Sequence, residues 1–221
     1  MPRIIFDRQL KELQDDVLTL GSMVERAVTR SVEALKARDV AAAHQIVADD
    51  AEVNHKRFEI EEKCVELIAT QQPMAHDLRT IIGVLNIVTE LERMGDHAAG
   101  IAKITVMMGG EPLLKPLIDI PRMAEKATEM LRRSLHAFIA GDADEARRIC
   151  EMDDEVDSLY DQVFRELLTY MMADPGTITK ATYLIWVAHN LERTADRVTN
   201  ICERVAYMVT GRMEEIGASK Y

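Results

Sequence analysis

The chain repeats itself, and the repeat limits its fold more than any other feature. Leu91-Glu92-Arg93, Asp96 and Ile101 recur as Leu191-Glu192-Arg193, Asp196 and Ile201, an offset of 100 positions. Upstream, Asp50, Glu52 and Val53 recur as Asp153, Glu155 and Val156, an offset of 103. The difference falls around Pro73, in a turn, where changes of length are tolerated. Two copies are too few for a solenoid, so the pattern predicts a duplicated domain.

Both copies are helical. Leu10, Leu13, Val17, Leu20 and Val24 step by three and four, the period of one helix face. Ala43, Ile46, Asp50, Val53, Arg57, Ile60, Cys64 and Leu67 do the same. So do Ala146, Ile149, Asp153, Val156, Tyr160, Val163, Leu167 and Tyr170. Proline and glycine break the pattern at Pro73, at Asp174-Pro175-Gly176 and between Gly109 and Pro121. The spacing predicts six helices, at 6–37, 40–70, 77–107, 121–140, 143–173 and 177–210. Short breaks at Arg38-Asp39 and Gly141-Asp142 make the flanking helices antiparallel neighbours. The expected fold is all-α, a tandem duplication of a three-helix antiparallel bundle. The bundles occupy residues 1–108 and 121–211, with a linker at 109–120 and a tail at 212–221.

Composition excludes several classes. Aromatics at 5% argue against a β sandwich or barrel, and 48% hydrophobic residues argue against disorder. With 27 basic and 38 acidic residues the formal charge is −11, wrong for non-specific binding of nucleic acid or anionic lipid. No uncharged stretch approaches the roughly 20 residues of a membrane helix. The N-terminus, with Arg3, Asp7 and Arg8, lacks the apolar core of a signal peptide. Cys64, Cys150 and Cys202 form no CxxC pair and sit on or beside apolar stripes. They read as reduced, buried thiols in a cytoplasmic protein.

Acids stand where apolar residues belong. Asp50 and Asp153 fall inside the stripes of the second and fifth predicted helices. Glu92 and Glu192 fall inside those of the third and sixth, with Asp96 and Asp196 one turn on. Counting equal distances from the turn near 174 sets Glu192 opposite Asp157 and Asp196 opposite Asp153. The turn near 72 sets Glu92 opposite Asn54 and Asp96 opposite Asp50. Each bundle should therefore carry a quartet, all acidic in the second copy, three acids plus Asn54 in the first. Oxygen ligands without thiolate suit a hard cation such as Mg²⁺, Ca²⁺, Mn²⁺ or oxidised iron.

The competing reading pairs these acids with Arg57, Arg93, Lys103, Arg193 and Arg197 at a solvated rim. A third reading, a ferritin-like carboxylate metalloenzyme, needs two Glu-x-x-His elements on separate helices. Only Glu52 to His55 matches, and the mate of His55 is Ser158. His97 and His189 neighbour the acids, but their counterparts are Arg197 and Thr89, so both read first as ordinary histidines. Met107, Met108, Met171 and Met172 read as core filling. No phosphate-cradling glycine loop, nucleophile elbow or HExxH motif is present.

Three segments together resemble the PhoU phosphate-signalling regulators. They are Pro73-Met74-Ala75-His76-Asp77-Leu78-Arg79, Glu90-Leu91-Glu92-Arg93-Met94-Gly95-Asp96-His97-Ala98, and Leu191-Glu192-Arg193-Thr194-Ala195-Asp196-Arg197. The likeness runs from Phe6 to Gly211. It implies paired three-helix bundles with multinuclear metal clusters, often iron, with Mn, Mg, Ca or Zn as alternatives. It carries ligand roles onto Glu92 and Asp96, Asp153 and Asp157, and Glu192 and Asp196. The first copy departs from the pattern at Asn54, where the second has Asp157. The resemblance further implies a non-enzymatic cytoplasmic adaptor, often a homodimer. Such an adaptor links the ATP-binding subunit of a phosphate ABC transporter to a sensor histidine kinase and restrains phosphate-starvation genes.

Overall fold

The computed structural model describes residues 2–216, so residues 217–221 of the expected tail lie outside the described residues. Its helices are α1 (Pro2–Ala37), α2 (Val40–Gln71), α3 (His76–Met108), α4 (Asp119–Ala140), α5 (Ala143–Cys150), α6 (Asp153–Ala173) and α7 (Ile178–Thr210). A single 3₁₀ turn, Pro175–Thr177, precedes α7. The described residues contain no strand.

Two boundaries differ from expectation by more than one or two residues. First, α1 begins at Pro2 rather than residue 6. Second, the helix expected over 143–173 is interrupted at Glu151-Met152. There the Met152 amide donates to Ile149 O (3.0 Å) and the Glu155 amide to Met152 O (3.1 Å). Such i→i−3 bonds tighten the turn and restart the helix. Asp153, Asp154 and Glu155 then occupy the first turn of α6, where the helix dipole favours negative charge.

Equivalent positions of the two copies fold alike. Asp39 and Asp142 cap α2 and α5 with their carboxylates. Ser31 in α1 and Ser134 in α4 are both buried, and each hydroxyl donates 2.8 Å to the carbonyl three residues back. In the first bundle α1, α2 and α3 pack together, and in the second α4, α5, α6 and α7 do.

The bundles are not independent cores. Helix α3 packs on α7 and α1 on α4, and one buried apolar cluster runs from Phe6 to Met208 through both copies. Glycine stands at two close approaches of this seam. A Cβ on Gly21 would collide with Leu135, and one on Gly83 with Met208. The seam is antiparallel: Glu90 takes Arg197 Nη1 (3.3 Å) and Asn200 Nδ2 (3.1 Å), while Asn190 lies against Gly100. Segment 109–118 lies along the second bundle, where buried Lys115 pairs with Glu166 and Lys180 with Glu111 at 2.8 Å. Of the four methionines read as core, Met107 and Met172 are instead exposed, whereas Met108 and Met171 pack against the core.

Candidate metal centre

The second bundle gathers its acids between α6 and α7. Asp153 opens α6, Asp157 follows one turn later, and Glu192 and Asp196 face them from the middle of α7. Burial pushes the Asp153 carboxyl up to about 7, with Asp157, Asp196 and Glu192 adding repulsion. Burial also pushes Glu192 up to about 7, reinforced by Asp196 and Asp157 and opposed by Arg193. Asp157 is raised by burial and then by Asp196. These mutual effects agree with the expected antiparallel register.

Two oxygens in this set are buried without a hydrogen-bond partner, Asp153 Oδ1 and Glu192 Oε2. His189 Nδ1 stands 3.3 Å from Glu192 Oε2, at ion-pair distance but not aligned for a hydrogen bond. The cation tied directly to the set is Arg193, whose Nη1 is 2.9 Å from Asp196 Oδ2. Tyr160 flanks it, its ring 6.1 Å from that of His189, and burial and Glu192 raise its hydroxyl.

The first bundle places Asp50 and Asn54 on α2 and Glu92 and Asp96 on α3. Burial and Asp96 raise Asp50, and Lys103 opposes them. Burial and Asp96 also raise Glu92, while Arg57 opposes. Here the expected pairing changes. Asn54 turns back along its own helix, its Nδ2 donating to Asp50 O (3.2 Å) and Oδ2 (3.4 Å). The group that meets Glu92 is Arg57, with Nη1 3.3 Å from Oε1. Gly95 lets α3 close on α2: a Cβ there would stand 3.1 Å from Val53 Cγ1 and 3.3 Å from Asp50 Oδ1. A cavity of about 340 Å³ opens beside Asp50 and Gly95, with Arg26 and Arg30 on its α1 wall.

Among the described residues no three His, Cys, Asp or Glu side chains already converge as a metal cage. Like charges repel, so a cation would have to draw the carboxylates together. The second set fits a hard cation: all four donors are carboxylates and two of their oxygens are buried without a hydrogen bond. The first set fits less well, because one donor is an amide and one carboxylate faces a guanidinium.

Of the five basic residues offered as ion-pair partners, Arg57 meets Glu92 and Arg193 meets Asp196. Arg93 and Arg197 both turn to Glu90 instead, at 3.0 and 3.3 Å. His97 is half-buried at the seam, where burial, Arg197 and Arg193 lower its ring pKa. Sequence reasoning missed Tyr160 as a neighbour of Glu192. The signal was present, since Tyr160 and Arg57 share one stripe position in the two copies.

The PhoU domain model matches residues 17–105 and again 120–205. A phosphate-specific transport system accessory protein PhoU homolog of Clostridium acetobutylicum is 40% identical over 217 residues, covering 98% of this chain and 99% of that protein. The homolog of Rhizobium meliloti is 39% identical over 207 residues, covering 93% and 87%. The crystal structure of PhoU from Pseudomonas aeruginosa aligns with a TM-score of 0.88 at 35% identity, covering 94% of this chain and all (100%) of that one. That of the phosphate transport system regulatory protein PhoU from Streptococcus pneumoniae aligns with a TM-score of 0.88 at 33% identity, covering 95% and 99%. No helix among the described residues is long and apolar enough to cross a membrane. With both domain matches falling on the two bundles, the chain belongs to the PhoU family.

Proposed function

We propose that this protein is a non-catalytic, metal-binding regulator of phosphate transport that works through protein contacts on the cytoplasmic side. Near-full-length similarity to phosphate-specific transport system accessory proteins carries the reading. Its partners are the ATP-binding subunit of the phosphate transporter and a sensor histidine kinase, and its effect is to restrain the starvation response.

Asp153 and Asp157 from α6 and Glu192 and Asp196 from α7 would hold the cation, iron by preference, in the second bundle. Once bound, it would neutralise the quartet and tie α6 to α7. The two buried oxygens without a hydrogen bond support this assignment, since burying a carboxylate with incomplete partners is costly. Leu168, Met172, Ile178 and Trp186 stand exposed on α6 and α7, and side chains of this kind suit protein docking. A clamp between the two helices would hold that surface in one shape. A ferritin-like enzyme fits poorly, because each acidic set lies between two helices rather than four.

The test is a pull-down with the kinase's cytoplasmic region and the ATP-binding subunit, alongside metal analysis of protein purified without chelator. Native protein should retain at least one partner and carry metal. Asp153→Asn/Glu192→Gln should lose metal and bind more weakly. Failure of native protein to bind either partner removes the adaptor role. Equal binding by both forms removes the metal from the mechanism.

A further inference from the structure

The repeat allows the two acidic sets to be compared position by position. Asp50, Glu92 and Asp96 match Asp153, Glu192 and Asp196. Around them three positions differ in the same sense of charge. Asn54 stands where the second copy has Asp157, Arg57 where it has Tyr160, and Lys103 where it has Glu203. Each of these three makes the first bundle more positive, while Glu90 for Asn190 and His97 for Arg197, which lie at the seam, run the other way.

The Arg57 guanidinium sits among acids and a ring at ion-pair distance rather than in hydrogen bonds, its Nε buried without a hydrogen-bond partner. Its Nη1 lies 3.3 Å from Glu92 Oε1, its Nε 3.2 Å from Glu61 Oε1, and its Cζ 4.6 Å from the centre of the Phe58 ring. Its side chain is only 21% exposed and that of Glu92 17%. A guanidinium keeps its charge at any physiological pH, so its attraction for Glu92 does not titrate away. Asn54 meanwhile places an amide donor on Asp50 Oδ2, where a carboxylate would add a ligand. The second bundle has no such cation on Glu192. It has Tyr160 and His189 beside that residue, and its Arg193 is turned to Asp196.

We propose that Arg57, supported by Asn54, is the built-in counter-ion of the first bundle, so that this chain takes metal through α6 and α7 alone. The inference rests on the metal-binding reading of the second bundle. It makes Arg57 and Asn54 the residues that decide occupancy: a fixed positive charge repels a cation, and the amide removes a charged ligand. One half of the molecule is then locked permanently, and the other depends on metal supply.

The probe is Mn²⁺, added to chelator-stripped full-length protein. Bound manganese is counted by elemental analysis after gel filtration and located by anomalous diffraction. Wild type should show manganese between α6 and α7 and none between α2 and α3. Asn54→Asp/Arg57→Tyr copies the second site into the first and should about double the bound manganese. The reciprocal Asp157→Asn/Tyr160→Arg should bind at least about tenfold more weakly, the scale on which partners around a metal alter affinity. Equal manganese in both bundles of wild type overturns the proposal. So does a second bundle that fills while the first gains nothing on exchange. Should Asn54→Asp/Arg57→Tyr fail to fold, the wild-type map and the reciprocal variant decide. No manganese in either bundle, before or after exchange, removes the underlying metal reading itself.

Discussion

Glu92 in the first bundle faces Arg57 at 3.3 Å, whereas Glu192, at the matching position of the second, has Tyr160 and His189 beside it and a buried oxygen without a hydrogen bond. The backbones around the two residues are alike. Leu91 and Leu191, one residue earlier, are both fully buried, and Met94 and Thr194 are buried two residues later. Packing and charge have thus diverged at different rates in the two copies. Apolar positions are constrained by a shared core, while the acids are constrained only by what neutralises them. The first bundle neutralises in part with its own side chains. The second leaves its carboxylates with raised proton affinity, a condition relieved by protons or by a cation.

The largest expected effect tests the shared core. Leu91→Ala and Leu191→Ala each remove a fully buried side chain and should each cost about 2–5 kcal/mol. Because one apolar cluster spans both copies, each variant should still unfold in a single transition. Calorimetry that resolves two transitions, with only the mutated half shifted, would break the picture of one core.

Next in size is the pH dependence of metal-free protein. Asp153 rises from 3.8 to about 7 and Glu192 from 4.5 to about 7. A raised carboxyl pKa means that the native state holds more protons than the unfolded chain across that interval. Stability therefore falls as pH rises from about 4 to about 7, then levels off. Carboxylates held low by cations, such as Asp16 and Glu145, act only below this window. His97, lowered by burial, gives an opposite slope, so the measured quantity is a difference between variants. Asp153→Asn/Glu192→Gln should remove a decline between pH 5 and 8 of at least about 3 °C in Tm, on the order of 1 kcal/mol for a chain this size. Asp50→Asn/Glu92→Gln should remove less. Equal flattening by the two pairs would mean that the bundles do not differ electrostatically.

A smaller effect comes from exchanging the counter-ion. Tyr160→Arg should reduce the pH 5 to 8 decline of metal-free protein by about 0.5–1 kcal/mol, the scale of a partly exposed ion pair. Arg57→Tyr should steepen it by a similar amount. Slope is the readout, because the tyrosine ring also packs against Phe164 and His189 and its loss shifts absolute stability. Parallel pH profiles for the two variants would leave Arg57 as a surface pair of no consequence.

Much of this is legible in the sequence, for physical reasons. The repeated stripes specify paired helices, and equal counting from each turn sets Asp50 against Asp96, Asp153 against Asp196 and Asp157 against Glu192, pairs whose members act on each other in the structure. The break at Glu151-Met152 is not legible, because Ala146, Ile149, Asp153 and Val156 keep a helical phase across it. The single core is not legible either. A stripe reports which face is buried, not whether the covering helix belongs to the same copy, and Gly21 and Gly83 acquire meaning only once Leu135 and Met208 lie against them. Arg57 stands in the stripe between Val53 and Ile60, but which acid it meets depends on a rotamer that spacing does not encode.

The smallest effect isolates backbone from charge. Helix α1 ends with Arg38 at φ 58°, and α4 ends at the equivalent position with Gly141 at φ 63°. Both ends close in the same way. The amides of Arg38 and Asp39 donate to Leu35 O and Ala34 O, and those of Gly141 and Asp142 to Phe138 O and Ala137 O. This is the paired-bond cap that helices commonly end on, and its left-handed residue is usually glycine. A side chain there crowds the following carbonyl, at roughly 1–2 kcal/mol. Arg38→Gly relieves that crowding but also loosens the unfolded chain. It should therefore stabilise by about 0.5–1 kcal/mol, or about 1–4 °C in Tm. Gly141→Ala should destabilise by about 1 kcal/mol through its φ alone, since its Cβ would meet only Val209 Cγ2 at an ordinary 3.7 Å. Opposite signs at matched positions would mark the two caps as one structure filled by different residues. A destabilising Arg38→Gly would instead assign Arg38 a side-chain contact worth more than its strain, and the first bundle's turn would then owe its shape to charge rather than to backbone.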